Sequence, residues 1–137
     1  MLLWTFWTFE SPSGRNDVQS EVDRYNDDDR EAFSRAVAHL AVTPLSEWHL
    51  PHARKLIGKD KLHEVRYKAN RSATRAVGRF LADSGGFAIT IICNHKQDVY
   101  KPVDALVTAA KRSDQIEAGI AKIARLQIDG EDFPPND

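Results

Sequence analysis

The chain has 137 residues, 42% hydrophobic and 28% charged, which suffices for one domain with a core and leaves too little for two. Its formal net charge of −1 excludes a uniformly basic or acidic protein, yet the charge is segregated: residues 1–32 carry −5, 33–50 carry 0, 51–112 carry +8 and 113–137 carry −4. A basic middle between acidic ends predicts a polyanion-binding face on an otherwise neutral surface.

Leu2 to Phe9 alternates Trp4, Phe6 and Thr8 against Leu3, Thr5, Trp7 and Phe9, predicting a strand covered on part of both faces, with Trp4 and Trp7 as core or half-covered edge residues. The opening MLLWTFWTFE has no basic leader and is too short to span a bilayer, so a cytoplasmic setting is expected. After the turn Ser11-Pro12-Ser13-Gly14-Arg15, Asn16 is placed to cap a helix with apolar stripe Val18, Val22 and Tyr25. Asn26-Asp27-Asp28-Asp29 ends it and caps a second helix with stripe Phe33, Ala36, Val37 and Leu40. From Thr43 to Lys61 the pattern is lost; Trp48, Leu50, Leu56 and Ile57 predict a loop pinned to the body.

Residues 62–112 predict three strands and a helix, with turns at Asn70-Arg71-Ser72 and Asp83-Ser84-Gly85-Gly86. Val65, Tyr67 and Ala69 share one face of the first strand, so Glu64, Arg66 and Lys68 share the other. In the second strand Ala76, Gly78 and Phe80 oppose Arg75, Val77 and Arg79. Paired as a hairpin, the two strands gather Arg66, Lys68, Arg75 and Arg79 on one face, and cations on rigid strands call for an anion. Cys93, the sole cysteine, excludes an intrachain disulfide and reads as a structural thiol in the third strand. Pro102 opens a helix whose Val103, Leu106, Val107 and Ala110 are expected to face the core, prolonged by Ile116, Ile120 and Ile123 unless Gly119 breaks it. The expected whole is an α+β domain over residues 1–128: a twisted, mainly antiparallel sheet of four to five strands, two N-terminal helices on one face and a C-terminal helix. Residues 129–137 are expected to form an acidic flexible tail.

The order strand, helix, helix, three strands, helix around a basic middle resembles the RelE/ParE superfamily of small bacterial toxins. Ser11-Pro12-Ser13-Gly14-Arg15-Asn16-Asp17-Val18, Trp48 with Pro51 and Lys55-Leu56, Glu64-Val65-Arg66-Tyr67, the Arg75, Gly78, Phe80 strand, and His95-Lys96 before Pro102 and Ala109 to Arg112 resemble its phage-derived HigB-like branch. The likeness covers residues 3–112. It implies a RelE-like fold, a cognate antitoxin, usually a helix-turn-helix protein, as partner, and cleavage of mRNA, commonly on the translating ribosome. The ParE branch implies a rival, non-enzymatic reading: an inhibitor of DNA gyrase, or an inactive antitoxin-binding module, on the same fold.

An endoribonuclease of this kind needs no metal or other cofactor, because the ribose 2′-hydroxyl is the nucleophile. A proton must leave it, charge on the phosphorane must be offset, and the departing 5′ oxygen must be protonated. Arg75, with Arg66 and Arg79 beside it, suits the second task, because its planar fork meets two phosphate oxygens and keeps its proton. Arg79, Lys68, Lys96 and Arg112 are expected to bind substrate. His95, Lys96 and Tyr100 are the proton-transfer candidates, an imidazole ordinarily titrating at about pH 6.5. A backbone-bonded structural role for His95 stands level with this, and for Tyr100 base stacking or packing stands above it. His39, His49, His52 and His63 lack the carboxylate spacing of a metal site and read as surface or loop residues.

Overall fold

A computed structural model describes the chain except Lys59, Asp60, Asp83 and Asp137. Part of the loop before Lys61, the first residue of the turn at Asp83 and the end of the acidic tail therefore lie outside the described residues.

Strand β1 (Thr5–Glu10) is followed by helices α1 (Asp17–Asp23) and α2 (Asp27–Ala41), strands β2 (Ala53–Lys55), β3 (His63–Ala69), β4 (Ser72–Phe80), β5 (Gly86–Lys96) and β6 (Val99–Lys101), helix α3 (Ala105–Glu117), and strands β7 (Lys122–Arg125), β8 (Gln127–Ile128) and β9 (Glu131–Asp132). Seven strands form one sheet in the order β2-β3-β4-β5-β1-β7, with β6 paired to β5; β8 and β9 form a hairpin of their own. The expected RelE-like sheet of four to five mainly antiparallel strands is thus corrected to a mixed sheet of seven beside a smaller one. Three features cause the difference. β1 runs parallel to β5 and is paired along its other edge by β7, so it lies inside the sheet instead of at its edge, with Phe6 in the main core on one face and Trp7 and Phe9 beneath the guanidinium groups of Arg125 and Arg112. β2 and β6, each three residues long, are too short to show alternation. Gly119, at φ 72°, ends α3, so Ile123 enters a strand instead of prolonging the helix.

Asn16 and Asn26 cap α1 and α2 as expected, accepting from the backbone N–H of Gln19 and Asp29 at 2.9 Å. Both helices pack on one face of the sheet, where Val18, Val22, Phe33, Val37 and Leu40 meet Phe6, Val65, Tyr67, Phe87 and Trp48. The opposite face is not uniformly open and basic. α3 covers its middle, with Ala105 and Ala109 packed against Leu62, Val77 and Cys93. Its buried stripe is Ala105, Ala109 and Ser113, while Val103 and Val107 face outward. Small side chains let this helix lie close to the sheet, which the larger valines would prevent. The pairing of β4 with β5 slips between Val77 and Gly78. The bulge resets the alternation, so Ile92, Ile89 and Phe87 all reach the α2 side. A Cβ on Gly78 would stand 2.2 Å from the Ala88 carbonyl oxygen, so only glycine admits this close approach. No helix among the described residues is long and apolar enough to cross a membrane. Phe133, within the segment read as a tail, packs against the main core.

Candidate functional site

Two tight hairpins build the site. Asn70 and Arg71, at φ 50° and 60°, form the two-residue loop between the paired residues Ala69 and Ser72. Positive φ at both loop positions matches the twist of the flanking strands, and a loop of this length fixes their register. Arg66 is thereby set directly opposite Arg75. Gln97 and Asp98, at φ 51° and 62°, do the same between Lys96 and Val99 and set His95 opposite Tyr100.

At the centre stands Glu64, a carboxylate with no exposed surface. The Tyr100 hydroxyl donates to Glu64 Oε1 at 2.7 Å, and Arg66 Nη1 donates to Oε2 at 2.7 Å. Arg54 Nε lies 3.2 Å and Arg75 Nε 3.5 Å from the same Oε2. Arg54 also donates through Nη2 to the Tyr100 oxygen at 3.4 Å. Three guanidinium groups thus converge on one carboxylate, which leaves the cluster with surplus positive charge. Arg75 is only 6% exposed, and its Nε is buried without a hydrogen-bond partner among the described residues. Its Nη1 donates to the Thr74 carbonyl at 3.0 Å. Burial first, and then the neighbouring Arg66, lower the Arg75 pKa, with Glu64 acting in the opposite sense. The His95 ring lies 4.7 Å, centroid to centroid, from the Tyr100 ring. Beside the cluster, Pro51, Arg66, Lys68, Arg71 and Arg75 line an open depression of about 540 Å³.

Of the expected site residues, Arg66, Arg75, His95 and Tyr100 are brought together, and Lys68 lines the adjoining depression. Lys96 is exposed next to His95. Arg79 and Arg112 lie elsewhere. Arg79 is buried under α3, bonded to the Ser113 hydroxyl at 3.2 Å and to Glu117 at 3.3 Å. Arg112 donates to the Thr90 carbonyl and to Asp17, each at 2.8 Å, and its guanidinium covers the Phe9 ring. Both are structural ties, so the expected face of four cations shrinks to Arg66, Lys68 and Arg75. Glu64 and Arg54 were missed by sequence reasoning. Glu64 carried a usable signal, since it shares a strand face with Arg66, but an acid among basic residues reads as a solvated charge. His63 is corrected too. It is half-buried on β3 beside Trp48 and Phe80, and burial, aided by Lys55, lowers its pKa. Among the described residues, no group of three or more His, Cys, Asp or Glu is placed to hold a metal ion.

The buried phenols make stability depend on alkaline pH. Tyr100 is pushed up to about 12, by burial first and then by its bond to Glu64; Tyr25 is pushed up to about 12, chiefly by burial. Tyr67 lies well above the phenol range because it is buried and shares a 2.7 Å bond with Tyr25. Raised folded-state values mean that the fold favours the neutral phenol. The resulting stability is complete below the unfolded value of about 10 and is lost as pH rises through the folded values near 12. Urea titrations are expected to show unfolding free energy falling steeply between pH 10 and 12, in step with phenolate absorbance. A profile that stays level to pH 12 would contradict this.

Comparison with known proteins adds no relative: no family model, curated protein or solved structure matches this chain.

Proposed function

We propose that the chain is a metal-independent endoribonuclease acting on mRNA, the toxin of a toxin–antitoxin pair that works in the cytoplasm on translating ribosomes. The observation that carries this reading is the Glu64 cluster: Arg54, Arg66 and Arg75 converge on one buried carboxylate, while Tyr100 joins that carboxylate to His95 at the surface. A pure anion-binding face has no use for the last two groups.

The chemistry follows the positions. The scissile phosphate lies against Arg66 and Arg75, whose fixed charge offsets the charge growing on the phosphorane oxygens. The 2′ oxygen forms its bond to phosphorus as the 5′ oxygen departs, leaving a 2′,3′-cyclic phosphate. His95 serves proton transfer at the mouth of the cluster, and Tyr100 holds its ring through a tilted ring contact. Glu64, sealed behind the arginines, orients them instead of meeting RNA. An antitoxin with an acidic or amphipathic segment is the expected partner for this face.

His95→Gln is expected to lower turnover by about 100-fold while leaving RNA binding nearly unchanged, since proton transfer is needed only in the transition state. The assay is cleavage of a reporter mRNA with and without ribosomes, beside a gyrase supercoiling assay. Inhibited supercoiling with intact mRNA would replace the nuclease reading by the gyrase one. Full cleavage by His95→Gln would move the proton transfer to Lys96, Tyr100 or the RNA itself.

A further inference from the structure

The edge of β3 separates two depressions that share Arg66 and Lys68. One is the basic depression of the site. The other is a cleft of about 440 Å³ between α2 and β3, walled by Ala36 and Tyr67 and rimmed by Arg35, His39 and His52. His39 belongs to the last turn of α2, and His52 immediately precedes β2. Their rings face each other with centroids 4.3 Å apart and planes tilted by 48°. Both residues are exposed, and neither ring makes a hydrogen bond to a described residue.

The charges around this pair decide what it can hold. No carboxylate among the described residues lines the cleft, and Glu31 is the ion-pair partner of Arg35 on its rim. Lys68 has no ion-pair partner among the described residues. Two imidazoles amid Arg35, Arg66 and Lys68 are a poor place for a metal cation and a good one for a flat, apolar ring carried next to a negative charge. A nucleotide has that chemistry. β2 pairs only residues 63–65 of β3, and the His52 carbonyl accepts from Arg66, so beyond that point the edge at Lys68 is open for a chain to cross.

We propose that this cleft is a second nucleotide subsite. It rests on the nuclease reading: a single strand whose scissile phosphate lies at Arg66 and Arg75 crosses the edge at Lys68 and stacks the adjacent base against the His39 and His52 rings. Stacking on exposed rings selects single-stranded over duplex RNA, whose bases are already stacked.

The probe is a fluorescent single-stranded decamer with 2′-O-methyl riboses, which binds without being cleaved, followed by anisotropy with the full chain. The double variant His39→Ala/His52→Ala is expected to bind about tenfold more weakly, and His39→Phe/His52→Phe, which keeps both rings, to stay within about threefold of the parent. Circular dichroism checks that both variants keep the fold. If Arg75→Ala weakens binding while the alanine pair leaves it within about twofold of the parent, the subsite is wrong and the nuclease reading stands. If the parent does not bind the decamer at all, the subsite falls, and cleavage of the reporter mRNA on ribosomes decides the nuclease reading separately.

Discussion

Arg75→Ala is expected to cut RNA cleavage by about 100- to 1,000-fold, the loss that follows removal of one preorganised donor from a site where charge develops. The guanidinium is fixed by the sheet, by its bond to Thr74 and by Glu64, so no reorganisation is needed as the phosphorane forms. Burial lowers its pKa, yet guanidinium starts so high that the group stays charged at working pH. An arginine on the solvent face of a strand contributes little core, and strand alternation alone predicts a folded alanine variant. Because Arg75 is only 6% exposed, the alanine variant is also expected to lose about 1–3 kcal/mol of stability. It should still fold, since Glu64 keeps its bonds to Arg66 and Tyr100. Urea midpoints must therefore be read beside the kinetics, at a temperature where both proteins are folded. Arg75→Lys should recover only part of the activity, a point charge replacing a two-pronged contact. A folded Arg75→Ala protein that cleaves within about threefold of the parent would remove Arg75 from the mechanism.

What the sequence disclosed and what it concealed divide along physical lines. Strict alternation in β3 put Arg66 and Glu64 on one face, and the break after Ala69 implied a hairpin that shares that face with Arg75; the direct pairing of Arg66 with Arg75 comes from a loop of two residues where the sequence suggested a turn of three. Arg79 obeyed the same alternation, but the helix packed over that face turned the residue into a tie to Ser113 and Glu117, and a helix far along the chain leaves no mark in a local pattern. Of the stripe expected for α3, Leu106 and Ala110 do pack against the core, but Val103 and Val107 face outward, because close packing on the sheet selects the small Ala105, Ala109 and Ser113 for its buried centre. β2 brought Arg54 to Glu64 from a stretch with no periodicity at all. The hairpin that aligns His95 with Tyr100 turns on Gln97-Asp98, which lacks the Asn-Gly or Asp-Gly signature by which such loops are recognised. Long-range pairing, then, was the hidden part.

Removing the carboxylate at the centre should have the largest effect on stability. Glu64 is fully buried and is the common partner of Arg54, Arg66 and Arg75, so Glu64→Ala leaves three like charges facing a void and the Tyr100 hydroxyl without its acceptor. Breaking one side of a buried ion pair costs about 3–5 kcal/mol when the remaining charge cannot reach water. Here the side chains of Arg54 and Arg66 are 42% and 25% exposed and can turn outward, while Arg75, at 7%, cannot. The expected loss for Glu64→Ala is accordingly about 2–4 kcal/mol, with most of the strain at Arg75. Glu64→Gln keeps the shape and the acceptor for Tyr100 but turns an amide N–H toward the arginines, so about 1–3 kcal/mol should still be lost. A cluster stripped of its own anion should take up another. Inorganic phosphate is expected to raise the melting temperature of Glu64→Gln more than that of the parent, as binding to the folded state requires. RNA binding by the variant should hold or tighten while cleavage falls, because the arginines gain a vacancy and lose their alignment. If Glu64→Ala matches the parent within about 0.5 kcal/mol in urea and phosphate stabilises both equally, the arginines do not depend on this carboxylate, and its part in orienting them is wrong.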